Sequence, residues 1–236
     1  MSGQSTAEAT TKKTGKGQTD GASIAAEGQE IFSNIVPFQP YPAGVELFQQ
    51  GSPAYEVYFI ARGLVKLVYL GQNGQEMIVG LRSPGWVLGA ASVILGKSCP
   101  STVATLTDCD LHRVPADVFL NQLKNDAHLS WYVQLAHSME IYEQTAHVAQ
   151  LGCVSAQDRL EQLLWQLCSM LESDKSQKEI RLQLPLKKQE IAELIAVTPE
   201  YLSLVVKRMQ QQGIIRWDKS WLIIYDFQRL WHMTDF

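Results

Sequence analysis

The stretch Leu184–Asp226, LPLKKQEIAELIAVTPEYLSLVVKRMQQQGIIRWDKSWLIIYD, decides how this chain is read. It predicts a helix, a tight turn, a second helix and a two-stranded wing. Ile191, Leu194 and Ile195 recur at helical spacing, so the first helix has one apolar face. The turn falls at Ala196-Val197. Thr198 then stands as an N-cap, Pro199 at the first helical position and Glu200 in the first turn, which together signal a helix start. Tyr201, Leu202, Val205, Val206 and Met209 make the buried side of the second helix, and Gly213 ends it. Ile214–Trp217 and Trp221–Ile224 flank Asp218-Lys219-Ser220 as a short hairpin. This is the plan of a DNA-reading winged helix-turn-helix. A small helical packing module that touches no nucleic acid is the other reading of the same pattern.

Charge keeps both readings open. The formal net charge is −4, and residues 155–236 hold 11 Lys and Arg against 11 Asp and Glu, so the module is neutral. Any basic footprint is local: Lys187, Lys188, Lys207, Arg208, Arg216 and Lys219. That supports groove docking rather than avid non-specific binding.

Upstream, residues 45–114 alternate short apolar and β-branched runs with glycines at 44, 51, 63, 74 and 85. Gln72-Asn73-Gly74 is a hairpin turn signal, because Asn and Gly tolerate positive φ. Short strands at this spacing predict a sandwich or rolled barrel. The five histidines are scattered, and neither a Gly-x-Ser-x-Gly nor a phosphate-loop motif occurs, so an enzyme is not expected. The four cysteines, Cys99, Cys109, Cys153 and Cys168, have no CxxC or metal-ligand spacing and read as reduced small hydrophobes; no metal or cofactor is expected. With no signal-peptide or membrane-spanning run, the expected location is the cytoplasm.

Between the two modules, residues 126–151 read as one long helix. Tyr132, Leu135, Met139, Tyr142, Ala146 and Ala149 form a heptad-like seam, expected to be a dimer interface. Packing of the same stripe on its own β-domain is the alternative. Ser155-Ala156-Gln157-Asp158 is a capping signal for a further helix, Arg159–Leu171. The expected fold is therefore α+β, in four parts. Residues 1–28 are a Ser/Thr/Gly-rich disordered tail, 29–125 the sandwich or rolled barrel, 126–154 a dimerisation helix and hinge, and 155–236 the winged helix-turn-helix.

This order resembles the CRP/FNR superfamily of bacterial transcription regulators, which implies that residues 29–125 fold as a jelly-roll-like double-stranded β-helix. Tyr41-Pro42-Ala43-Gly44, Val57–Ile60 with Gly63, Gly74 with Glu76, Pro84-Gly85 with Gly89, and Arg113-Val114-Pro115 stand where that family's cyclic-nucleotide-type roll places its turns and closing strand. Gln189–Ala192 and Thr198–Ser203 match its helix-turn-helix. The resemblance implies a homodimer on a pseudo-palindromic site in double-stranded DNA, with RNA polymerase as a further partner. It implies DNA contacts from Lys187, Lys188, Thr198, Pro199, Glu200, Ser203, Leu204, Lys207, Arg208 and Lys219. The family's recognition helix carries Glu and, four residues on, Arg; here Glu200 is kept and Leu204 replaces the Arg, which removes a bidentate guanine contact.

The roll departs further. The family's Gly-Glu-Leu phosphate cassette reads Gly89-Ala90-Ala91, and its Arg-Ser pair reads Cys99-Pro100, followed by Ser101 and Thr102. The implied ligand pocket is degenerate: the ribose-holding carboxylate and the phosphate-holding guanidinium are both gone. An effector other than cyclic AMP, or none, is expected. A ligand-binding regulatory subunit whose C-terminal module docks protein rather than DNA is the alternative function.

Overall fold

The computed structural model describes residues 21–171, 179–218 and 221–225. Eight strands form the N-terminal domain as two four-stranded antiparallel sheets. One has the order β1 (Phe38–Tyr41), β8 (Cys109–Pro115), β3 (Glu56–Arg62), β6 (Val87–Leu88); the other runs β2 (Glu46–Phe48), β7 (Thr102–Thr105), β4 (Val65–Leu70), β5 (Glu76–Arg82). The expected double-stranded roll is thus present, and with the long helix and the reader the chain is α+β.

The run Val57-Tyr58-Phe59-Ile60 shows why this region is apolar without interruption. Side chains alternate across a strand, and β3 is covered on both faces. Tyr58 and Ile60 point inward to meet Phe48, Val65 and Leu111 between the sheets. Val57 and Phe59 point outward, into a second core made with helices. Those helices are α1 (Gly21–Ser33), α2 (Ala90–Leu95), α3 (Ala116–Asn125) and α4 (Ala127–Cys153). Residues 21–28, expected to be part of a disordered tail, are instead the first two turns of α1. Ile24, Ile31 and Phe32 are buried, and Phe32 stacks on Phe59 with ring centroids 4.7 Å apart. Gly28 allows that approach, since a Cβ there would lie 2.3 Å from the Tyr132 hydroxyl. The few large side chains are enough because they meet a prebuilt apolar surface. The rest of the expected tail, residues 1–20, lies outside the described residues.

The long helix is one element, capped by Asp126, whose carboxylate accepts from the backbone N–H of His128 at 2.8 Å and of Leu129 at 3.2 Å. Its first half serves its own domain. Leu129, Tyr132, Val133 and Ala136 are buried against the roll, and the Tyr132 hydroxyl donates to the Gly85 carbonyl at 2.6 Å. Leu135 and Met139 pack against the same core. Three of the expected seam residues therefore face inward, because the roll is the nearest apolar surface they can cover. Ala146 is half-buried and Ala149 exposed. Beyond Met139 one side of the helix is open to solvent: Ile141, Tyr142 and Val148 are 68–69% exposed.

Ser155 caps α5 (Ala156–Met170), accepting from the Asp158 N–H at 3.2 Å, as expected from its capping signal. The reader follows as β9 (Ile180–Gln183), α6 (Lys188–Leu194), α7 (Pro199–Gln211), β10 (Ile215–Asp218) and β11 (Trp221–Ile224). The wing has a third strand that the sequence reading lacks, in the order β10-β11-β9. β9 is only four residues long, too short for its alternation to stand out. No helix among the described residues is long and apolar enough to cross a membrane.

Candidate nucleic-acid interface and effector pocket

α6 and α7 meet through a turn closed in two residues. Ala196 takes φ +52°, and the Val197 N–H donates to the Ala192 carbonyl at 2.9 Å. Thr198 caps α7, its hydroxyl accepting from the Tyr201 N–H at 3.2 Å, with Pro199 in the first turn. Leu202, Val205, Val206 and Met209 are buried as expected, which fixes the rotation of the helix. Tyr201, expected on that side, is 49% exposed: it sits at the margin of the stripe, three residues after the cap.

The opposite face is open. Thr198, Pro199, Glu200, Ser203, Leu204, Lys207 and Arg208 are all exposed, so the structure brings these sequence-predicted residues onto one helix surface. Glu200 is held below the usual carboxylate range by its own backbone N–H and then by the Thr198 hydroxyl. It therefore stands ionised at the helix N-terminus, where negative charge is favoured. The Ser203 hydroxyl donates back to the Pro199 carbonyl at 2.9 Å. Lys187 opens α6, its N–H donating to Glu190 Oε2 at 2.7 Å, and the Lys188 ammonium lies 5.3 Å from the centre of the Trp217 ring on the wing. Lys219 lies outside the described residues.

The reader does not hang free of the roll. Lys66 on β4 pairs with Glu190 on α6 at 2.6 Å, and the Ile78 N–H on β5 donates to Glu193 Oε2 at 3.2 Å. Ile78 and Leu81 are buried in the same apolar core as Ile191, Ala192 and Ile195. Burial opposes ionisation of Glu190, but the Lys187 N–H and the bond and charge of Lys66 outweigh it and hold that carboxyl low.

A β-bulge aims β5 both ways. Leu67 pairs with Gly80 and Val68 with Ile78, so Val79 is the extra residue. Ile78 and Leu81 consequently face the reader, while Arg82 turns into a cavity of about 100 Å³ between the roll and α4. Of the residues expected to line a ligand pocket, Gly89, Ala91, Cys99, Pro100 and Ser101 do. Ala90 and Thr102 do not. Ala90 is fully buried in the helix-covered core, and the Thr102 hydroxyl accepts from the Gln50 N–H at 3.0 Å.

The cavity is not without a cation, which the sequence reading missed. The Arg82 guanidinium donates to Glu140 Oε1 on α4 at 2.7 Å and to the Leu81 carbonyl at 2.8 Å, and it lies 4.4 Å from the centre of the Trp86 ring. His137, also on α4, lines the same space. The signal in the sequence is an arginine that follows the apolar run Met77–Leu81 in the strand EMIVGLR. No spacing rule joins it to Glu140, 58 residues on. Among the described residues no group of three or more His, Cys, Asp or Glu could hold a metal ion.

Comparison with known proteins bears on both modules. The Cyclic nucleotide-binding domain family matches residues 38–126, and the Crp-like helix-turn-helix domain family matches residues 158–233. The CRP-like protein Clp of Xanthomonas euvesicatoria pv. vesicatoria is 24% identical over 193 residues, covering 78% of this chain and 82% of the relative. Clp of Xanthomonas campestris pv. campestris (strain B100) is 22% identical over 191 residues, with the same coverage. Two solved structures share the fold. FixK2 from Bradyrhizobium japonicum has a TM-score of 0.70 at 20% identity, covering 83% of this chain and 96% of its own. CLP of Xanthomonas campestris, described as a c-di-GMP responsive global regulator, has a TM-score of 0.71 at 19% identity, covering 85% and 99%.

Proposed function

Because the chain belongs to the CRP/FNR family of transcription regulators, we propose that it acts as a homodimer whose two α7 helices read a pseudo-palindromic DNA site. The observation that carries this reading is the division of α7. One side is sealed in the reader's core, and the other presents Glu200, Ser203, Leu204 and Lys207 together to solvent. Paired recognition helices then enter successive major grooves about 34 Å apart. Glu200 reads a base edge, Lys207 and Arg208 hold phosphates, and Leu204 offers at most an apolar contact to a thymine methyl. The half-site therefore lacks the guanine that an Arg four residues after the Glu would fix.

The dimer seam lies on the second half of α4, through Ile141, Tyr142 and Val148, which are large, apolar and exposed. Large apolar side chains left exposed along one helix are expected to find a partner. The roll is the sensor, and its effector is not a 3′,5′-cyclic nucleotide. The c-di-GMP responsiveness of the Xanthomonas regulator is not carried over: a cyclic dinucleotide has two phosphates and a bulk far beyond the cavity of about 100 Å³. The role is regulatory rather than catalytic, in the cytoplasm, with RNA polymerase as the expected further partner.

Selected-site sequencing with the full-length chain tests the reading. A two-fold related motif without the family guanine is expected, and Leu204→Arg should add that guanine to each half-site. Failure to select any DNA motif, with the protein folded and dimeric, would leave the protein-docking role in place of this one.

A further inference from the structure

We infer that the cavity between the roll and α4 is a binding site for a small carboxylic acid with an apolar body, which displaces Glu140 from Arg82. This rests on the sensor role proposed for the roll. The cavity already binds a carboxylate, and that carboxylate belongs to the protein itself.

Arg82 has a side chain only 6% exposed, and a buried charge needs a partner. The partner is Glu140 Oε1, reached from α4 by a side chain that is 35% exposed. The two ends of the pair are thus unequal. Arg82 is fixed within the roll by the Leu81 carbonyl and the Trp86 ring, and it lies so close over Gly80 that a Cβ there would be 2.8 Å from its Nη1. Glu140 stands at the solvent edge and can turn outward into water. A ligand carboxylate entering from that edge inherits a ready guanidinium and leaves no charge unpaired. The two acceptors take up part of a fork that carries five N–H groups.

The rest of the lining sets the body of the ligand. Phe48, Trp86 and Leu88 give an apolar wall, and Ser101 adds a hydroxyl. The space of about 100 Å³ is below the roughly 150 Å³ of a cavity that admits benzene, so the vacated Glu140 carboxylate and the open edge beside it together supply the added room. This limits the ligand to a short-chain or single-ring acid. Because β5 carries Arg82 into the cavity and Ile78 into the reader, exchange at Glu140 acts on the strand that also holds α6.

Calorimetry on the full-length protein, with no DNA present, tests the site with butyrate and benzoate against butyramide, benzamide, inorganic phosphate and cyclic AMP. At least one acid should bind about tenfold or more tighter than its own amide, the usual margin for a hydrogen bond to a charged group. Glu140→Gln should tighten the acid by a similar factor and leave the amide unchanged, because the internal competitor has lost its charge. Arg82→Gln should abolish the preference for the acid over the amide, and Arg82→Lys should keep part of it. Equal binding of acids and amides, or no acid binding even to Glu140→Gln, overturns the inference. So does cyclic AMP or phosphate binding more tightly than either acid. None of these outcomes depends on whether α7 reads DNA, so the two readings fail separately.

Discussion

The exposed face of α7 and the lining of the roll cavity each consist of a few side chains, but they are assembled in opposite ways. α7 presents its face from one continuous stretch, Pro199–Gln211, whose rotation is fixed by the residues it buries. The cavity draws Phe48, Arg82, Ser101 and Glu140 from β2, β5, the approach to β7 and α4. Against the family pattern, α7 differs at one exposed residue, Leu204, with its buried side intact. The roll differs by carrying its cavity arginine on β5 and pairing it with a carboxylate from α4. A linear surface can be retuned one position at a time, whereas a cavity with a buried charge must change at both ends of the pair.

The largest effect is expected where the chain meets its own copy. Ile141→Glu with Val148→Glu places charges on the exposed half of α4, where an interface would bury them without partners. Sedimentation should show monomers; a stable dimer would move the seam away from this face and back toward the residues that pack on the roll. Next comes the degenerate cassette. A cyclic nucleotide brings a ribose and a base as well as its phosphate, a bulk well beyond the cavity of about 100 Å³, and Gly89-Ala90-Ala91 offers no carboxylate to hold the ribose. Neither cyclic AMP nor cyclic GMP should bind at micromolar concentration by calorimetry. If either did, the cavity would be the family's site after all and the contrast with α7 would collapse.

How much could be read from the sequence follows the same division. The turn at Ala196-Val197, the cap at Thr198 and the buried side of α7 are local patterns with periods near 3.6, and they stood in the chain in plain order. Tyr201 escaped because it lies at the edge of its stripe. The roll was legible through short apolar runs such as Val57–Ile60 set between glycine turns such as Gly74, which takes φ +77°. Three things were not legible. α1 has only Ile24, Ile31 and Phe32 to bury, and they count only once Phe59 and Tyr132 are beside them. In α4 the apolar stripe is continuous, so nothing local marks where Met139 stops serving the roll and Ile141 begins to face outward. The pair Arg82–Glu140 joins two segments that only the fold makes neighbours.

Two smaller effects belong to the reader. Glu200→Ala should relax discrimination at one base pair per half-site by roughly 1–3 kcal/mol, read by selected-site sequencing. If the motif is unchanged, Glu200 serves only the N-terminus of α7. The junction between sensor and reader is worth less. Lys66→Ala and Glu190→Ala, taken as a double-mutant cycle on urea unfolding, should give a coupling of about 1 kcal/mol, since the pair is only partly shielded from water. Glu190 has its folded pKa lowered from the ordinary 4.5, so the pair contributes fully above that value and is lost as pH falls through the lowered one. A coupling that persisted at acid pH would mean that another contact carries it.

The last effect separates what specifies from what merely holds. Lys207 lies on the exposed side of α7 together with Ser203, one turn earlier, and no hydrogen bond or ion pair ties it to the described residues. A free ammonium in that position neutralises a phosphate and reads no base. Lys207→Ala should therefore weaken every DNA site alike, selected or random, and reduce the slope of log affinity against log salt by about one, the release of one phosphate contact. Binding measured at several salt concentrations on two unrelated sequences decides it. If Lys207→Ala weakens the selected site far more than the random one, then the base-reading surface extends a full turn further along α7, and Glu200 does not read alone.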